Sequence, residues 1–467
     1  MKTRSKRKLK GREIRSDGYK RVEKLPRLPK NGISYWLDSP NGRHEYTHQL
    51  FRFPAKFHPP VVRWALRNYG RKGSVVLDPF TGSGTVQVEA LVRSISSVGI
   101  DVDPVACLIA EAKATPLNPG RLRKELEEIR LILAPFIKAH LDREVRAGSD
   151  ISERRFEEEA ATLNIPAILN ITHWFRRYVI IDLARIFDAI GRANLTEVEK
   201  RFFLIIIAAV IRRVSNADPD PVSGLEVTSI QAERNLTRKI KVFDDFFAKA
   251  EQSIEGMERL WKACGEKKPV AVARVIQGNT SELAELLDDE PLAQGGFPLV
   301  ITSPPYCRAV DYSRRHQLEM YWLGFVQNPA EHVALAHTYI GRKLVRAPDW
   351  NEPVDFGIRR LDDALRRIAD KDVNKARTVR HYFYTMQEVF AALLRVVRKT
   401  ATVVCVVGDS VCCKIPIATA DFIAELATEH FMLKRRFSYA LRNHYMQYGL
   451  WNGNGIKREH VLVFKPR

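Results

Sequence analysis

The sequence predicts an α/β fold, a doubly wound sheet interrupted by a large helical block. Three observations predict it. First, the apolar string VVLD at 75–78 runs into a glycine-rich turn, FTGSGT at 80–85. A helical stretch at 86–94 and a second strand at 97–101 follow, the strand–turn–helix–strand order of a Rossmann-like nucleotide-binding unit. Second, further strand strings come later, ARVIQGN at 273–279, PLVITSPPY at 298–306 and ATVVCVVGDS at 401–410. Third, residues 119–268, between the second and third strands, carry helical periodicity and many charges.

In chain order, residues 1–45 read as a Lys/Arg-rich arm, loosely held or disordered at its start. Residues 46–118 form the first part of the core, and 119–268 a helical insertion. The core resumes over 269–467 with a mixed insertion at 326–378, a helix at 382–398, another at 420–428, and the β-rich strings LKRRFSYAL and HVLVFKP at the end.

Composition narrows the function classes. Hydrophobic residues make up 45% and charged residues 28% of 467, ordinary for a globular protein with a full core. The net charge of +20 makes nucleic acid the first partner to consider, against the plainer reading of a generally basic surface. Cys107, Cys264, Cys307, Cys405, Cys412 and Cys413 form no CxxC pair, so neither a zinc site nor a disulfide framework is indicated, and a reducing compartment is expected. The longest apolar run, Phe202–Ile211, falls short of the roughly 20 residues a membrane helix needs, and the basic start does not resemble a signal peptide. A cytoplasmic, nucleoid-associated protein is expected.

Three motifs carry chemistry. In DPFTGSGT, Asp78 ends a strand and Gly82 and Gly84 allow the backbone to approach a ligand where a Cβ would clash. No GK[ST] follows, so this is not a phosphate loop, and the GxGxxG spacing of a dinucleotide site is missing. Asp101, in GIDVDP, ends the next strand roughly 20 residues on, where an acid can hold ribose hydroxyls. Asp103, before Pro104, suits a helix cap better. The third motif is Ser303-Pro304-Pro305-Tyr306. An exocyclic amine is a weak nucleophile because its lone pair is delocalised into the ring. The Ser303 hydroxyl and Pro304 carbonyl can accept its two N–H hydrogens and push it toward a nucleophilic geometry. Pro304 and Pro305 stiffen the loop, and Tyr306 offers a ring face for a flipped base.

DPFTGSGT followed by TSPPY resembles the amino-methyltransferases that act on DNA. FRFPAKFHPP at 51–60 looks like their N-terminal cofactor motif, GIDVDP like their ribose-binding acid, and VIQGN at 275–279 like their third cofactor strand, with Asn279 where an Asp is usual. SPPYCRAVDYSRRHQLEMYWLG and REHVLVFKP fit as well, and the resemblance covers 46–118, 270–325 and 379–467. It implies a seven-stranded core with a reversed final hairpin and S-adenosyl-L-methionine as cofactor. Phe53, Lys56, Asp78, Phe80, Gly82, Ser83, Gly84, Thr85, Asp101 and Asn279 would hold that cofactor, and Ser303, Pro304, Pro305 and Tyr306 would be catalytic. Ser at the head of SPPY is typical of enzymes that methylate N4 of cytosine, and Asp of those that methylate N6 of adenine. The alternatives are an N6-adenine enzyme, an RNA base amino-methyltransferase, and a DNA-binding module without activity. DNA is the expected partner ahead of RNA, and a cognate restriction nuclease is a partner such an enzyme can have. No signal for a metal, for oligomeric state or for the recognition sequence is present.

The sequence departs from the family in placing its helical block between the second and third strands, so target recognition is expected from 119–268 or 326–378. Cys307 reads as packing, because it does not directly follow the prolines as a nucleophilic cysteine would. Arg212, Arg213, Ser215 and Asn216 read equally as a phosphate site or a helix end, Arg314, Arg315 and His316 as DNA contacts, and Trp451 as part of a loop near the site.

Overall fold

The computed structural model describes residues 18–37, 45–54, 56–142, 149–219, 224–266, 270–308, 310–342, 344–348, 350–440 and 458–467. The first part of the expected arm and the Trp451 loop lie outside the described residues.

Eleven strands are described. They are β1 (Lys20–Val22), β2 (Ser34–Leu37), β3 (Val75–Asp78), β4 (Ser96–Asp101), β5 (Ala273–Gln277), β6 (Phe297–Thr302), β7 (Val397–Gly408), β8 (Ser410–Cys412), β9 (Ile415–Ile417), β10 (Phe431–Ala440) and β11 (Arg458–Pro466). Nine make one sheet in the order β1-β2-β10-β11-β7-β6-β3-β4-β5, and β8 and β9 form a separate hairpin. All neighbours in the large sheet run parallel except β11, which is antiparallel to both β7 and β10. That is the reversed final hairpin the resemblance implied. The central strands are apolar runs because helices cover both faces: Ala401–Gly408 of β7 is buried at every position.

The seven core strands expected are present as β10-β11-β7-β6-β3-β4-β5, and residues 18–37, expected within the basic arm, add β1 and β2 beside them. β2 pairs Ser34 and Tyr35 with Ser438 and Tyr439 of β10, and Tyr35 and Leu37 are buried against the sheet. Alternation over this short strand puts both side chains on the core face, a pattern that the surrounding lysines and arginines obscure.

Helices α1 (Pro59–Tyr69), α2 (Thr85–Leu91) and α3 (Pro104–Ala114) flank the first strands. Between β4 and β5 stand α4 (Pro119–Asp142), α5 (Glu153–Ala160), α6 (Ile171–Trp174), α7 (Arg177–Arg192), α8 (Glu197–Val214), α9 (Ser229–Thr237) and α10 (Val242–Ala263). α8 opens with a reciprocal cap, Thr196 and Glu199 each bonding the other's backbone, and buries an almost unbroken run from Phe202 to Ile211. The core of this block is continuous with α3 and with Leu318, Met320, Tyr321 and Trp322 further along the chain, so the block is seated on one face of the sheet. Short helices follow: α11 (Leu283–Leu286), α12 (Tyr312–Arg315), α13 (Gln317–Trp322) and α14 (Pro329–His337). Then come α15 (Arg359–Ala369), α16 (Val373–Val396) and α17 (Thr419–Leu426). α16 starts earlier than the expected 382 because Asp372 caps it, accepting the Lys375 N–H. No helix among the described residues is long and apolar enough to cross a membrane.

One feature of this order positions the site. β4 and β5 lie on one side of β3, and β6 and β7 on the other. The loops leaving β3 and β6 therefore diverge and open a crevice at the C-terminal ends of the strands, where such sheets bind ligands.

Candidate active site

Asp78, at the end of β3, is buried, and its Oδ1 accepts the Phe80 N–H at 3.2 Å, so its carboxyl shapes the turn. Burial pushes that carboxyl up to about 7. Gly82 has φ +47 and donates its N–H to Asp101 Oδ2 at 2.8 Å. Asp101 Oδ1 also accepts the Asp103 N–H at 3.0 Å. Burial, reinforced by the neighbouring charge of Asp103, pushes Asp101 up to about 7 as well. Gly84 has φ +70, and a Cβ there would lie 2.7 Å from Ala110 Cα. Gly84 therefore serves the close seating of α3 on the turn, not approach to a ligand as the motif alone suggested. Beneath the turn, the wholly buried Lys113 donates to the Ser83 carbonyl. No sequence motif marked that lysine.

These loops enclose a cleft of about 760 Å³, open solvent included. Of the expected cofactor residues, Phe53, Lys56, Phe80, Gly82, Ser83, Thr85, Asp101 and Asn279 line it, and Asp78 and Gly84 do not. From the SPPY loop, Ser303 and Pro305 line it and Pro304 and Tyr306 do not. Thr81, Thr280, Tyr312 and the segment 338–340, which the motifs did not single out, complete the walls. Thr81 and Thr85 line the cleft, but their hydroxyls are buried without a protein hydrogen-bond partner, and that of Thr81 lies against Gly99 of β4. Lys56 donates to the His48 carbonyl, which holds its ammonium beside the cleft.

The Ser303 Oγ donates to the Val406 carbonyl at 3.1 Å. Its proton is thus committed to the protein and its lone pairs are left for a donor in the cleft. Tyr306 is only 8% exposed, and its phenol donates to Glu459 Oε1 at 2.5 Å. Glu459 Oε2 accepts a second phenol, that of Tyr439. A buried, anchored ring is a poor platform for a flipped base, which corrects the stacking role expected of Tyr306. The aromatic rings lining the cleft are instead Phe53, Phe57, Phe80, Tyr312 and Tyr339, of which Phe53 and Tyr312 stack at 5.7 Å and 26°. Cys307 is buried, and burial pushes its thiol far above the range where a thiolate forms, in keeping with a packing role.

Asp103 caps α3 through Oδ1, which accepts from Val105 N at 2.9 Å and Ala106 N at 3.2 Å. Its Oδ2 pairs with His316 Nδ1 at 2.7 Å. His316 and Arg315 are buried, so neither can be the DNA contact expected of them. His316 instead packs against Phe51 and Phe53 and fixes the FRFPAKF segment over the turn. Arg314 reaches the helical block, donating to the Leu225 carbonyl at 3.2 Å. The 212–216 cluster resolves mainly as a helix end. Arg212 donates to the Asp218 and Gly224 carbonyls, Ser215 Oγ to the Arg212 carbonyl, and Asn216 to the His173 carbonyl, while Arg213 pairs with Asp245 at 2.8 Å.

A model of the N6/N4 DNA methylase family matches residues 2–112. The type II methyltransferase M.MvaI of Kocuria varians is 22% identical over 416 residues, 87% of this chain and 86% of its own length. M.BsoBI of Geobacillus stearothermophilus, also a type II methyltransferase, is 24% identical over 327 residues, 65% of this chain and 57% of its own. M.MjaII of Methanocaldococcus jannaschii, a third, reaches 35% identity over 94 residues, 20% of this chain and 18% of its own.

Proposed function

From the premise that this chain belongs to the DNA amino-methyltransferase family, we propose that it methylates the N4 amino group of a cytosine in DNA, at a specific site. Methyltransferases of this family use S-adenosyl-L-methionine, which when bound supplies an electrophilic methyl group. The residues present suit that cofactor: the Asp101 carboxylate, Lys56 and the stacked Phe53–Tyr312 pair share one cleft with the Gly82 turn. Asp101 would take the ribose, and Lys56 would lie toward the cofactor's carboxylate.

The observation that carries the reading is the Ser303 hydroxyl, donating to Val406 and open to accept on the cleft side. An acceptor there and the Pro304 carbonyl would draw on the two N–H bonds of the target amine and localise its lone pair. Preorganised acceptors and close positioning carry this chemistry without a covalent enzyme intermediate. The target base would leave its stack to enter the cleft. Target recognition is assigned to the insertion 119–268, whose Gly224 and Leu225 meet Arg314 just beyond the SPPY loop. Purified protein, methyl-labelled cofactor and matched DNA and RNA substrates test the reading. Label recovered as N4-methylcytosine in DNA supports it; label at C5 of cytosine, in adenine, in RNA alone, or none contradicts it. Exchanging 119–268 with the block of a relative should change the methylated sequence.

A further inference from the structure

The buried carboxylate of Glu459, at the start of β11, is not used by the mechanism above. It pairs across the sheet with Gly408 of β7 and Tyr439 of β10, and is only 9% exposed. Both of its oxygens are engaged, Oε1 by the Tyr306 phenol at 2.5 Å and Oε2 by the Tyr439 phenol. The Ser303 side chain is a further hydrogen-bonding neighbour of the Tyr306 phenol. Three groups therefore stand in a row from the core to the cleft: Glu459, Tyr306 and Ser303.

The direction of hydrogen bonding along such a row is set by its end. An ionised carboxylate only accepts, so the phenol of Tyr306 must spend its one proton on Glu459. Its oxygen is then an acceptor toward Ser303. Among the described residues Ser303 meets two acceptors, the Tyr306 oxygen and the Val406 carbonyl. Its proton stays on the protein side and its lone pairs face the cleft. We propose that Glu459 is a positioning residue for methyl transfer: acting through Tyr306, it fixes Ser303 as an acceptor for the target amine. The proposal rests on the acceptor role given to Ser303 under the proposed function. A proton on Glu459, or an amide in its place, puts a donor between the two phenols and lets the row run either way. The protonated form is thus the weaker catalyst.

The titratable groups around Glu459 are Tyr306 from the loop after β6, Tyr439 on β10, Tyr312 on α12 and His460 on β11, itself held by Asp409 at 3.1 Å. Burial raises the Glu459 carboxyl above its ordinary range against the pull of the two phenols and His460. Activity that needs the ionised form is full at high pH and falls as pH drops through that raised value.

The test is single-turnover kcat at saturating DNA and cofactor across pH, for wild type, Glu459→Gln, Tyr306→Phe and Ser303→Ala, with cofactor affinity and melting temperature alongside. Glu459→Gln should hold a pH-independent kcat at the level of the wild-type acid plateau. Tyr306→Phe, which keeps Glu459 but breaks the row, should lose about 10²-fold in kcat and the acid limb with it. Cofactor affinity should be unchanged in both. Glu459→Gln with the wild-type acid limb overturns the proposal, as does Tyr306→Phe with wild-type kcat. If Glu459→Gln does not fold, Tyr306→Phe still decides. A fully active Ser303→Ala overturns the underlying reading instead.

Discussion

Replacing Gly84 by Ala should damage the fold, whereas the same change two residues earlier, at Gly82, should damage the cofactor site. Both positions have left-handed φ, +70 and +47, so each alanine costs about 1–2 kcal/mol in backbone strain. The surroundings differ. The new Cβ at 84 would sit 2.7 Å from Ala110 Cα and 2.8 Å from its Cβ, atoms of a helix that must move as a body. Overpacking of that kind adds about 1–3 kcal/mol, so Gly84→Ala should lose about 2–5 kcal/mol in all. At 82 the new Cβ meets only the tip of the Phe53 ring, at 3.3 and 3.7 Å, on the cleft wall. Its stability loss should stay near the backbone strain, while its methyl takes space in the cleft. Thermal unfolding and calorimetric titration with S-adenosylmethionine separate the two. Gly84→Ala should melt well below Gly82→Ala, and Gly82→Ala should lose more affinity than stability. Equal melting temperatures, or wild-type affinity in Gly82→Ala, would refute the division of labour within this turn.

Ser303→Ala should lower kcat by about 10²–10³ with cofactor affinity nearly unchanged, and Cys307→Ser should keep activity in a methyl-transfer assay. A dead Cys307→Ser variant would point to covalent chemistry. Cofactor affinity should rise with pH through about 7, because the ionised Asp101 carboxylate accepts ribose hydroxyls more strongly than the neutral acid and burial holds its carboxyl near that value. Calorimetry across pH should show this in wild type and a flat profile in Asp101→Asn; a pH-independent wild type contradicts the assignment. DNA affinity should fall with salt at about −0.9 in log–log slope per phosphate contacted, given the +20 charge. A flat titration would mean that the charge serves another purpose.

The parts of the fold legible in the sequence were those written in short windows. β3, the turn and β4 announce themselves because strands buried on both faces are apolar runs and the turn needs glycine. β2 is not legible because four residues next to the edge strand, among basic residues, carry almost no periodic signal. The cleft-lining residues of the motifs were legible for the same reason. The groups that orient them were not, because they are partners across the chain. Glu459 meets Tyr306 from 153 residues away, and His316 meets Asp103 from 213. Arg315 and His316 read as surface cations, and only packing reveals that the fold buries them. Tyr312 lay within a stretch resembling the family, yet its place on the cleft wall follows from α12 and the stack on Phe53, not from spacing.

The central claim is the identity of the methylated atom. Mass spectrometry of nucleosides, from the DNA of a methylation-free host expressing this protein, reads it directly. N4-methylcytosine is expected, and much less of it when Ser303 is replaced by alanine. N6-methyladenine would keep the cleft chemistry and overturn the substrate, and 5-methylcytosine or unmodified DNA would contradict the account itself.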